Sequence, residues 1–251
     1  ALIIAPAQMH DPEAMPGIIA GLLARAGNTP YLLAEPLPFA DRVVGLDIID
    51  QPRRDGDHLT GMARLHQSDG TLLRSVIAET QIGKGHSIPL DFLAELLPAD
   101  LLERQRIVLH YNGRLRRDLL RALGTWEDEL NATFHIVELL RQMVPRVYSF
   151  AGGKVGTPPW GAQIHINERE ALLVTARGAD EVAPMPLHLR GDGELPIDSI
   201  VRSVLAFHAL HFGAQIAPAL PITLSHADAI AAAALRGLLP ANNQGSIPFW
   251  L

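Results

Sequence analysis

Apolar and polar positions change period several times along the chain, and those changes predict its elements. Val43-Val44-Gly45-Leu46-Asp47-Ile48-Ile49 reads as an apolar strand carrying one acid. A turn at Arg53-Arg54-Asp55-Gly56-Asp57 leads into alternating positions from Leu59 to Leu65. A second turn, Ser68-Asp69-Gly70, leads into a strand from Leu72 to Ala78, which makes an antiparallel meander. Leu90, Leu93, Leu97 and Leu101 then recur at helical spacing within Pro89 to Leu102, ahead of a buried strand from Ile107 to His110. Further helices are predicted over Pro12 to Arg25, stopped by Gly27-Asn28, and over Leu115 to Leu123, Pro196 to Phe212 and Ala227 to Leu235. Further strands are predicted over Thr29 to Leu33, Phe134 to Leu140 and Glu170 to Thr175, and a mobile loop over Gly152 to Pro159. Ala1 to Pro6 reads as a strand entered directly, with no basic leader, so the chain is expected to begin inside a larger fold. A meander followed by strands alternating with helices predicts a mixed α/β sheet with helices on its faces.

Composition narrows the class. With 251 residues, 48% of them hydrophobic, the chain has material for one large domain or two small ones around an extensive core. It has no cysteine, which excludes disulfides and thiolate metal sites and fits a reducing compartment. Its apolar stretches are broken well before the roughly 20 residues that span a bilayer, so no membrane insertion and a cytoplasmic location are expected. The formal charge of −6 argues against a freestanding nonspecific nucleic-acid binder, so any phosphate contact must rest on local patches. Basic residues are almost all arginine, with Lys84 and Lys154 the only lysines.

The chemistry suggested by the pattern is a metal site short of charge. Asp47 lies in its strand, Asn112-Gly113 follows the strand Ile107 to Tyr111, and Asp228 lies on what reads as a helix start after Leu220-Pro221-Ile222-Thr223-Leu224. Two-metal phosphodiesterases hold cations about 3.5–4 Å apart and need several converging anionic ligands. An amide ligates hard cations weakly and supplies no charge. On these residues alone, a simple pairing of Asp47 with an arginine and a tight turn at Asn112-Gly113 is an equal alternative. Arg114, Arg117 and Arg121, at 3- and 4-residue spacing, form either a phosphate-binding face or a solvated one. Arg141 and Arg146 are similar candidates. His208 and His211 lack a third ligand at metal spacing and read as packing residues, and Gly152 to Gly156 lacks Walker spacing.

The ordered set of motifs resembles the PIWI domain of the Argonaute family, preceded by the end of its MID domain. Ile18 to Gly27 resembles the helix that leads to the family's lysine-glycine-glycine turn, with Arg25 at the lysine position. Val43-Val44-Gly45-Leu46-Asp47 resembles the strand bearing the first catalytic acid, and Tyr111-Asn112-Gly113 stands where arginine-aspartate-glycine carries the second. Ile136 to Leu139 with Pro145 to Tyr148, Ala183 to Leu187, and Pro221 to Asp228 resemble later steps in the same order.

The resemblance implies an RNase H-like mixed sheet with helices on both faces, residues 1–35 closing a MID-like region and residues 36–251 forming the PIWI domain. It also implies a degenerate slicer site, with Asp47, Asn112 and Asp228 as vestigial positions. No glutamate stands between Gln81 and Asp91, where the family's glutamate finger falls, and Glu79 is a poorly placed substitute. Guide or target contacts are implied for Arg25, Arg114, Arg117, Arg121, Arg141 and Arg146. The Leu251 carboxylate is implied to help hold Mg²⁺ in a guide 5′-phosphate pocket. The expected function is guide-dependent binding, with a short RNA or DNA guide, a complementary target strand and a separate effector in prokaryotic host defence. The alternatives are an active RNase H-like endonuclease using Asp47, Asp50 or Glu79, and Asp228, and a scaffold without nucleic acid.

Overall fold

A computed structural model describes residues 12, 15–53, 56–83, 87–142, 144–176, 183–212, 218–234 and 244–245. The elements in chain order are α1 (Met15–Arg25), β1 (Arg42–Arg53), β2 (Gly56–Gln67), β3 (Leu72–Ile82), α2 (Leu90–Leu96), α3 (Ala99–Leu102), β4 (Arg106–Asn112) and α4 (Arg117–Leu130). They continue as β5 (Thr133–Leu140), β6 (Ser149–Ala151), β7 (Lys154–Gly156), β8 (Gln163–Asn167), β9 (Glu170–Leu173), β10 (Leu187–Asp192), α5 (Ile197–Ala209), α6 (Ile222–Ala234) and β11 (Gln244–Gly245). Among the described residues the main sheet runs β11-β3-β2-β1-β4-β5-β10-β9-β8.

The meander β1-β2-β3 is antiparallel, whereas β4 and β5 run parallel to β1. Parallel strands joined by helical crossovers are buried on both faces, and the sequence obeys this. On one face Val44, Leu46 and Leu109 pack against Phe92, Leu93 and Leu96 of α2 and Leu119, Leu123 and Trp126 of α4. On the other, Val43, Val108 and Val137 pack against Ile200, Val204 and Phe207 of α5 and Leu224 of α6. The expected mixed sheet with helices on both faces is what the chain forms.

Several local expectations need correction. The helix expected from Pro89 to Leu102 is two helices, because Pro98 cannot donate into a continuous helix and caps α3 instead. The indole of Trp126 donates to Leu97 O (2.9 Å) and fastens that break to α4. Thr29 to Leu33 is irregular rather than a strand. Its end is held by Leu33 N donating to Asp69 O (2.8 Å), a contact to the β2–β3 turn that local pattern cannot show. The loop at Gly152 is a β6–β7 hairpin whose turn uses Gly152 and Gly153 at φ 58° and 76°. The helix expected at Ala227 starts a full turn earlier, at Ile222, directly after Pro221. Ala183 to Pro186 has no regular structure, and β10 begins only at Leu187. Ala1 to Pro6 lies outside the described residues.

Candidate nucleic-acid site

Asp47, Asn112 and Asp228 meet at one point. Asp47 is on the α6 side of β1, and the parallel register pairs Leu46 with Tyr111, which brings the next residue, Asn112, beside Asp47 at the end of β4. Gly113 then turns the chain away at φ 101°, its N–H donating to Leu139 O (3.0 Å). Helix α6 lies against β1 over Gly45 and brings Asp228 to the same point. One amide nitrogen, Asn112 Nδ2, donates to Asp47 Oδ2 (2.9 Å) and to Asp228 Oδ1 (3.1 Å). Arg141, one residue past β5, donates from Nη2 to Asp228 Oδ1 (2.7 Å) and from Nη1 to Oδ2 (3.2 Å). Arg141 Nη2 also reaches Asn112 Oδ1 at 3.4 Å.

Electrostatics follow from burial. Asp47 is 6% exposed, and desolvation holds its pKa above the usual carboxylate value, opposed first by the Asn112 hydrogen bond. Tyr111, buried beside it, is pushed up to about 12, mainly by desolvation and next by the charge of Asp47. The alternative acids Asp50 and Glu79 do not join this site. Asp50, three residues beyond Asp47, points to the opposite face of the sheet, where Arg116 Nη1 donates to it at 2.5 Å. Arg116 also holds Asp118. Glu79 is exposed on β3 and accepts from Thr60 Oγ1 (3.2 Å). Among the described residues no group of three His, Asp or Glu side chains could hold a metal ion. Two carboxylates, an amide presenting its N–H groups and a guanidinium do not fit a pair of divalent cations.

The arginines divide differently from their spacing. Arg114 precedes α4, so it does not share a helical face with Arg117 and Arg121. Arg114 and Arg117 instead line a groove of about 870 Å³ together with Arg169 and Arg190, two residues the sequence pattern did not single out. Glu138, Glu170 and Asp192 line the same groove, and Arg190 lies 3.6 Å from Glu138 and 3.4 Å from Glu170. Arg121 is exposed elsewhere on α4. Arg146 donates to Ala183 O (2.7 Å). The side chain of Arg25, and Leu251, lie outside the described residues, as do Lys84 to His86 in the segment where the family's glutamate would fall.

The histidines read as packing residues do pack. His208 Nε2 bonds Pro218 O (2.8 Å) and His211 Nε2 bonds Leu220 O (2.7 Å), tying the end of α5 to the segment that leads into α6. His110 bridges Ser203 Oγ and Thr223 Oγ1, both at 3.0 Å. Sequence reading missed Arg64, 1% exposed, which donates to Ile222 O (2.8 Å) and contacts His226.

A β3-β2-β1-β4-β5 sheet with acids converging from β1 and α6 beside the end of β4 is the architecture of an RNase H-like fold of the PIWI type. No family model matches the chain. Over 242 residues, 92% of its length, it is 26% identical to the protein argonaute of Aquifex aeolicus (strain VF5), covering 33% of that protein. The fold matches Aa-Ago with externally bound siRNA at TM-score 0.80 and 24% identity, over 94% of this chain and 33% of that one. It matches Clostridium butyricum Argonaute, bound to a guide DNA and a target DNA, at TM-score 0.80 and 21% identity, over 99% and 33%. The resemblance to the Argonaute family drawn from the ordered motifs is thus borne out, and the chain spans about a third of the length of these relatives. No helix among the described residues is long and apolar enough to cross a membrane.

Proposed function

We propose that the chain is the PIWI-containing part of a cleavage-inactive prokaryotic Argonaute, with residues 1–35 ending a MID-like region. It holds a short guide RNA or DNA in the cytoplasm, pairs it with a complementary target and reports the match to an associated effector in host defence. Mg²⁺ at the guide 5′-phosphate and a phosphate contact from Arg25 belong to the same reading. The observation that carries the inactivity is Asn112 Nδ2 donating to both Asp47 and Asp228: a hydrogen-bond donor sits where a metal pair needs an anion. Sequence would then be read by base pairing while the protein grips the backbone, as in other guided systems.

The test is guided binding and cleavage in Mg²⁺ or Mn²⁺, together with end-labelling of nucleic acid that copurifies. Retained short oligonucleotides, tight target binding and no product are expected. Asp47-dependent product would establish the endonuclease instead, and the absence of both oligonucleotide and binding would favour a scaffold.

The Arg114 and Arg117 groove gives a second expectation. Phosphate contacts release counterions, so each one lost flattens the plot of log affinity against log salt by about one. The R114A/R117A variant is expected to bind all guide sequences more weakly, with a slope shallower by about two. An unchanged slope would remove these residues from the interface.

A further inference from the structure

Two carboxylates drawn together by strand and helix packing would repel each other unless something positive sat between or beside them. In two-metal phosphodiesterases, divalent ions supply that charge. Here the residues do not fit such a pair, and yet Asp47 and Asp228 share one hydrogen-bond donor. The structure shows what accompanies them: Arg141 grips both oxygens of Asp228 and also reaches the side-chain amide oxygen of Asn112.

That second contact matters as much as the first. An asparagine amide can face two carboxylates with its NH₂ or, turned over, offer its oxygen to a cation. With Asn112 Oδ1 directed at the guanidinium, the NH₂ faces Asp47 and Asp228, at 2.9 and 3.1 Å. A planar guanidinium suits this double task because its fork matches a carboxylate while the same nitrogen reaches a neighbouring acceptor. A cation entering the pocket would have to displace Arg141 from Asp228, turn the amide and tolerate the guanidinium charge nearby.

We propose that Arg141 is the resident cation of this pocket: it positions Asn112 as a donor and keeps divalent metal out, so the lost acid is only half of the site's decay. This rests on the inactive-site reading above and adds that restoring Asn112→Asp alone does not rebuild a metal site, because Arg141 remains to pair with the new carboxylate. Arg141 and Asp228 are 43% and 40% exposed, so the arginine can be truncated without opening the core.

The experiment is Mn²⁺ titration followed by electron paramagnetic resonance on the guide-free protein, comparing wild type, R141A, N112D and N112D/R141A, each checked for an unchanged melting transition. R141A is expected to bind Mn²⁺ about tenfold more tightly than wild type, since one nearby positive charge and one ion pair are removed. N112D/R141A is expected to exceed N112D by at least about as much. Adding Asp47→Asn to R141A should abolish the gain. Equal affinity within either pair would overturn the role of Arg141. If N112D does not fold, the R141A and wild-type pair alone decides. A guided-cleavage assay of the wild type separates the two ideas: Asp47-dependent cutting defeats the inactive reading itself, whereas no cutting with equal Mn²⁺ affinities defeats only the assignment of Arg141.

Discussion

Acidification from pH 6.5 to 4.5 should destabilise the protein steeply. His66 and His110 are fully enclosed, and burial depresses both to about 3; for His66 the charge of Arg64 adds to this. Burial likewise takes His211 down to about 4 and His226 well below the usual histidine value, with the Arg64 charge next in weight for His226. In the unfolded chain each imidazole regains its ordinary value near 6.5. The folded values are therefore depressed, the unfolded chain binds more protons below pH 6.5, and stability present above that value is lost as pH falls. Each buried imidazole contributes a slope of about 1.4 kcal/mol per pH unit, so His66, His110 and His211 together give about 4 kcal/mol per unit through the middle of the range. Asp47 works the other way, since its raised pKa penalises the charged form at neutral pH and protonation relieves that penalty. One carboxylate does not offset several imidazoles, and a domain typically has about 5–15 kcal/mol in all. Urea denaturation at half-unit pH steps measures the slope. A midpoint that stays level from pH 6.5 to 4.5 would mean that these histidines are not enclosed as described.

What the sequence made legible follows from where the information lies. The β1 and β4 strands are apolar on both faces because both are covered, so Val43 to Ile49 and Ile107 to Tyr111 announce themselves without a partner. The order of Asp47, Asn112 and Asp228 was readable because each sits at a fixed point of an element, and packing brought all three within hydrogen-bond reach. The partner of Asp228 was not readable. Arg141 lies in the chain as one more surface arginine, and only the reach of its side chain from the end of β5 to α6 gives it a carboxylate. Arg64 escaped notice for a similar reason: alternation from Leu59 to Leu65 marks one buried face of β2, but α6 covers the other, where a polar residue would ordinarily meet water. The arginines before α4 show the converse error, in which helical spacing was extended past the true helix start at Arg117.

Replacing Gly45 with alanine should cost about 3 kcal/mol and disturb the site two residues away, because β1 has no room for a side chain there. A Cβ at Gly45 would stand 2.2 Å from the backbone oxygen of Thr223, 2.5 Å from its carbonyl carbon and 2.8 Å from its Cβ. Two of those atoms are backbone, so no rotamer change relieves the clash and helix α6 itself must retreat. The same helix carries Asp228, whose hydrogen bond from Asn112 is already 3.1 Å long, and Thr223, whose hydroxyl meets His110 at 3.0 Å. A shift of about 1 Å would carry both contacts beyond hydrogen-bonding range. Gly124 supplies the control: it lies within α4, its Cβ would meet nothing within 4 Å, and Gly124→Ala should therefore stabilise by about 1 kcal/mol through helix propensity alone. Denaturant titration of both variants gives the two signs directly. A Gly45→Ala protein as stable as wild type would show that α6 does not rest on β1 at this point, and the convergence of Asp228 with Asp47 and Asn112 would lose its structural cause.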